Sequence, residues 1–137
     1  MNHETFIGQV QARARLDGLD AAEAATRATL ETLAERIPAP LADHLAAQLP
    51  HEISEHLRRV ANAPGSTGTG VRMHRDEFIG RVAARAGADK AKAAFEARCV
   101  MEVVGEATQG SLTDKVRQSL DDELAQLLFA GSSGGIG

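Results

Sequence analysis

From Phe6 onward, apolar residues recur in steps of three and four. Phe6, Val10 and Ala14 form one stripe, and Phe78, Val82 and Ala86 repeat it far down the chain. That spacing predicts an amphipathic helix in both places. A longer stripe, Thr26, Leu30, Leu33 and Ile37, keeps a 4-3-4 rhythm and is answered by Ala97, Met101, Val104 and Thr108. Third helices are expected at about 41–49 and 112–120. Short fourth helices follow, marked by Ile53, Leu57 and Val60 and then by Leu124, Leu127 and Leu128. The punctuation agrees. Pro38 and Pro40 separate the second helix from the third, and Pro50 opens the fourth. Asp121 stands in Pro50's place in the second half as a cap-like residue. Asp20, with Glu23 three residues later, reads as the capping pair of the second helix.

The stripes repeat because the sequence does. ETFIGQVQARA at 4–14 returns as DEFIGRVAARA at 76–86, with seven of eleven positions identical at an offset of 72. One residue is lost in the next loop, and an offset of 71 then places Arg27, Glu31 and Glu35 on Arg98, Glu102 and Glu106. Leu41, Asp43, Leu45 and Leu49 likewise fall on Leu112, Asp114, Val116 and Leu120. A register held this far indicates tandem duplication. The expected organisation is helical repeat copy one at 1–63, a flexible linker at 64–72, copy two at 73–130 and a disordered tail at 131–137. A four-helix unit this small buries too little surface to stand securely alone. The expected fold is therefore all-α, two tandem copies of a four-helix unit packed as one helical bundle. Gly8 and Gly80 fall inside helices, where glycine costs about 1 kcal/mol relative to alanine. Their recurrence predicts a close backbone approach at the same point in each copy.

Composition narrows the function. The core must come from Leu, Val, Ile and Ala, because the chain has no Trp or Tyr and four Phe. The net charge of −4 is divided between the halves, so neither offers the clustered cations that phosphate binding needs. No nucleic-acid partner is expected. No apolar run is long enough to cross a bilayer, and the polar, acidic start lacks the plan of a signal peptide. No membrane partner is expected either. One cysteine, Cys99, rules out an internal disulfide and suits a reducing, cytoplasmic setting.

Candidate chemistry is sparse. His44, His51 and His56 lie close in sequence, with Glu52 and Glu55 among them. A zinc-protease helix needs histidines four apart; His51 and His56 are five apart and point to different faces. Glu52 and His56 share a face, and His44 approaches from the preceding helix. Those three are the metal candidates, set against an expectation of solvated surface histidines. Cys99 sits mid-helix without a histidine nearby and reads as a buried, inert thiol. No cofactor motif is present, and none is expected to bind. The recurring charges Arg13 and Arg85, Arg27 and Arg98, and Glu31 and Glu102 have a plain reading. They form intrahelical pairs such as Arg27–Glu31 that hold each copy's own fold. The sharper reading makes Arg13 and Arg85 equivalent partner contacts.

The opening pattern D/E-x-F-I-x-x-V-x-x-R-A, the stretch ATLETLAERI and the segment LADHLAAQLPHEISEHL together resemble a bacterial and archaeal family, domain of unknown function 2267. The likeness spans about residues 4–129, and AAQLPHEI is its most specific piece. Copy two departs there, with RQSLDDEL. The resemblance implies a small all-α cytoplasmic protein and brings no activity to transfer. The leading expectation is a non-enzymatic protein–protein interaction module that binds an unidentified protein or associates with itself. The alternative is a metal- or small-molecule-binding protein, or an enzyme, with a site between the two repeats.

Overall fold

The computed structural model describes residues 1–62, 73–109 and 111–131; the linker expected at 64–72 and the tail from 132 lie outside the described residues. Within them the chain forms α1 (His3–Ala14), α2 (Leu19–Arg36), α3 (Ala39–Gln48) and α4 (His51–Ala61). The second half follows in the same order, as α5 (Arg75–Ala86), α6 (Lys90–Ala107), α7 (Leu112–Gln118) and α8 (Asp122–Leu128).

Helix ends follow local chemistry. Asn2 caps α1 by accepting the Thr5 N–H at 2.8 Å, and Asp89 and Asp121 cap α6 and α8 in the same way. Each capping oxygen satisfies a backbone N–H that the first helical turn leaves without a partner. The first helix of each half stops on a left-handed residue, Arg15 at φ 56° and Gly87 at φ 67°. Glycine takes that conformation freely, whereas arginine carries strain there. Pro38 and Pro50 precede α3 and α4 as expected. At α2 the expectation fails: the cap position is Gly18, and Asp20 lies inside the first turn. Glu23 therefore makes no capping box, and its carboxylate turns toward two histidines instead.

The long helices α2 and α6 pack against each other, and α1 and α5 each pack on both of them. The halves are thus interleaved, with α1 on α6 and α5 on α2. Outside this inner bundle α4 covers α2, α8 covers α6, and α3 meets α7. One continuous core results, drawing Phe6, Leu30, Leu33, Ile37, Ile53 and Leu57 from the first half and Phe78, Met101, Leu124 and Leu128 from the second. All ten side chains are essentially shut off from solvent. Each contributes about 1.5–3 kcal/mol relative to an exposed position. Thr26, Thr29 and Thr32 are buried along α2, and each hydroxyl donates to the carbonyl four residues back at 2.8 Å.

The glycine expectation is overturned. A Cβ at Gly8 would meet nothing within 4 Å beyond its own helix, and one at Gly80 would meet the Lys90 side chain at an ordinary 3.7 Å. Close backbone packing does not explain either residue.

Candidate functional site

The densest polar feature among the described residues is the seam where the halves interleave. Glu31 and Glu35 stand one turn apart on α2, and Glu102 and Glu106 hold the matching places on α6. Like charges at this spacing repel within a helix. Each pair is neutralised from the opposite half. Arg85 on α5 donates to Glu35 at 2.7 Å and to the Thr32 hydroxyl at 2.7 Å, with its Nε 3.5 Å from Glu31. Arg13 on α1 donates to Glu102 at 3.0 Å and to Glu106 at 2.7 Å. The hydrogen bond to Glu106 leads the effects that raise the Arg13 pKa. Offsets of 72 for the arginines and 71 for the glutamates relate one fork to the other.

The repeated charges therefore bind the halves to each other more than they hold each half alone. The expected Arg27–Glu31 pair exists, at 3.8 Å, but it is the longest contact in the cluster, and Arg27 also reaches across to the Arg85 carbonyl. Glu31 is closer to Arg59 of α4, at 3.0 Å. Arg81 of α5 adds a bond to Glu35 at 3.1 Å while pairing with Glu77 on its own helix. The clue in the sequence was the glutamate pair itself: two like charges one turn apart, written twice, call for cations from outside the helix.

Arg59 carries the network onward. Its guanidinium donates to Nδ1 of His56 at 3.3 Å, and Nε2 of His56 faces Glu23 at 3.4 Å. A donor at Nδ1 fixes the neutral ring with its proton on Nε2, which then donates to the carboxylate. Glu23 also receives His3 at 2.7 Å, so a chain of polar contacts joins α1, α2, α4 and α5. Burial holds the His56 pKa below the ordinary imidazole range, against the opposing pull of Glu23.

His56 is thus buried, which corrects the expectation of a solvated ring. It lies three residues after Ile53 and beside Leu57, on the edge of the face that α4 turns to α2, so the periodicity already marked it. His44 and Glu52 are exposed and do not join it. Among the described residues no group of three His, Cys, Asp or Glu is arranged to hold a metal. Cys99 is fully buried, and burial pushes its thiol up to about 11, so it remains protonated near neutrality.

One open cleft of about 240 Å³ is lined from both halves, by Arg36 on one side and His74, Leu120 and Asp121 on the other. Asp121 sits below the usual carboxylate range, first because it accepts the Leu124 N–H and further because His74 lies 3.0 Å away. The Nε of Arg36 is buried without a hydrogen-bond partner among the described residues.

Among the described residues no helix is long and apolar enough to cross a membrane. Comparison with curated proteins gives no match. A family profile described as an uncharacterized conserved protein, DUF2267, matches residues 3–127. That span runs from the first residue of α1 to the penultimate residue of α8. The all-helical bundle and this match lead to one conclusion: the chain belongs to the DUF2267 family.

Proposed function

We propose that this chain is a non-enzymatic helical interaction module. The observation that carries the reading is the seam, where arginine forks from one helical unit grip paired glutamates of another over an apolar core. Recognition of this kind suits partners that present an amphipathic helix with acidic or basic residues one turn apart. Arg13 and Arg85 are the partner contacts in this reading, since their side chains remain 19% and 28% exposed at the seam. Two groups that often carry catalysis have other occupations: Cys99 is held protonated and His56 is held neutral within the packing. Among the described residues the exposed large apolar side chains are Met1 and Leu19, so recognition rests on charge geometry at the surface.

Affinity capture with the full chain, followed by light scattering of the recovered complex, tests the reading. It expects a stoichiometric protein partner or self-association. A chain that stays strictly monomeric and recovers nothing contradicts it.

A second reading, a small polar ligand held between the halves, is favoured by the cleft at Arg36, His74 and Asp121. A metabolite and metal screen by thermal shift tests it, because a ligand specific to the folded state raises the melting temperature. Loss of the shift in Arg36→Ala would assign the ligand to that cleft.

A further inference from the structure

The two sides of the seam are built alike. Copy one offers Arg13 and the shelf Glu31–Glu35; copy two offers Arg85 and the shelf Glu102–Glu106. Each arginine grips the other copy's shelf, and α1 lies on α6 as α5 lies on α2. This is the reciprocity of an isologous interface, in which the same patch serves both partners. Nothing in those contacts requires that the two halves belong to one chain.

We propose that each half is a docking surface for the opposite half of a second copy of this chain, so that two chains associate by exchanging halves. The inference rests on the interaction-module reading and names the partner. Details of the seam select opposite halves over like ones. Arg81, which bonds Glu35 at 3.1 Å, has Gln9 as its counterpart at the offset of 72. A seam between two first halves would lose that charge-assisted bond. Arg27 also donates to the Arg85 carbonyl, whereas the second-half match of Arg27, Arg98, donates to Gly131 of its own half.

Closed and exchanged forms contain the same seam contacts and differ in which chain supplies each half. A tether of ten residues reaches at most about 35 Å when extended. Covalent connection alone holds the halves of one chain at an effective concentration on the order of millimolar. Exchange in the unaltered chain is therefore a high-concentration event, and a variant that penalises the closed form brings it to lower concentration.

The test uses two full-length variants, Arg85→Glu and Glu35→Arg, purified separately and then mixed. In either closed form, positions 35 and 85 carry like charges. In the exchanged heterodimer one seam is native, with Glu35 on Arg85. The other brings the two substituted positions together, so that opposite charges again face each other with their signs reversed. The proposal expects a species of twice the monomer mass containing one of each chain, with the melting temperature restored toward that of the parent. A mixture that stays as two monomers with lowered melting temperatures overturns it. Should either variant fail to fold, differently tagged parent chains mixed near millimolar concentration and warmed carry the same question. Capture through one tag should bring down the other, and capture of one tag alone overturns the proposal. Failure here is distinct from failure of the broader reading, because a stoichiometric foreign partner recovered by the parent chain would leave that reading intact.

Discussion

The two arginine forks are related by the same sequence offsets, yet they sit in different surroundings. Around Arg85 the shelf is nearly closed: the Glu31 and Glu35 side chains are 11% and 18% exposed, Arg27, Arg59 and Arg81 crowd the same carboxylates, and Arg85 also donates to the Thr32 hydroxyl. Around Arg13 the shelf is more open, with the Glu102 and Glu106 side chains 27% and 53% exposed, and the guanidinium also donates to Gln9. The difference is energetic. A charge pair withdrawn from water is costly to break, because the surviving partner is left uncompensated, whereas a water-facing pair gives up little. Matching positions thus give one closely packed fork and one more open one.

The largest effect is expected at the centre of the closed shelf. Glu31→Ala leaves Arg59 and Arg85 without a shared acceptor and should cost about 3 kcal/mol in urea unfolding. A loss below about 1 kcal/mol would mean that water reaches the shelf and would erase the contrast. Next come the arginines themselves. Arg85→Ala should cost about 2 kcal/mol, the usual loss for hydrogen bonds to charged groups. Arg13→Ala should cost about 1 kcal/mol or less. Equal losses, or the reverse order, would mean that the Arg85 fork is no better shielded from water than the Arg13 fork.

Gly8→Ala works in the opposite direction. Its added methyl meets open space, so the change should stabilise by up to about 1 kcal/mol through helix propensity. A loss of stability there would point to a contact that the packing does not contain.

The shallowest effect is that of pH on the arm of the network at His56. Burial lowers its folded pKa, so the unfolded chain takes up the proton first as pH falls. Stability present above about pH 6.5 should therefore decline as pH drops below the unfolded value toward the folded one. Glu23, Arg59 and Glu31 all face this ring, and the two carboxylates temper the decline. Glu96, whose buried carboxyl has a raised pKa, contributes with the opposite sign: its share is present at low pH and lost as pH rises. Comparison of the parent with His56→Gln isolates the histidine, and identical pH profiles would remove it from the account.

Much of this architecture was legible in the residues. The stripes of Phe6, Val10 and Ala14 and of Thr26, Leu30, Leu33 and Ile37 lie buried as their spacing requires. Proline and aspartate marked the starts of α3, α4 and α8. What periodicity could not supply was the direction of the charges. Arg27 and Glu31 are close in sequence, so they looked like partners, while Arg85 lies 54 positions beyond Glu31 and becomes a neighbour only when α5 packs on α2. Glu23 misled for a related reason. Its spacing from Asp20 fits a capping box, but the cap falls on Gly18, and tertiary packing brings His3 and His56 to the carboxylate. Gly8 and Gly80 misled because their recurrence reflects matching positions in the two halves, not a shared steric demand.

The closed fork binds one half of the molecule to the other. A double-mutant cycle between Arg85 and Glu35, built from Arg85→Ala, Glu35→Ala and the pair, measures that coupling directly. The double variant should lose less than the sum of the singles, by about 1–2 kcal/mol in urea unfolding. Strictly additive losses would contradict it, since the two side chains would then act independently across the seam.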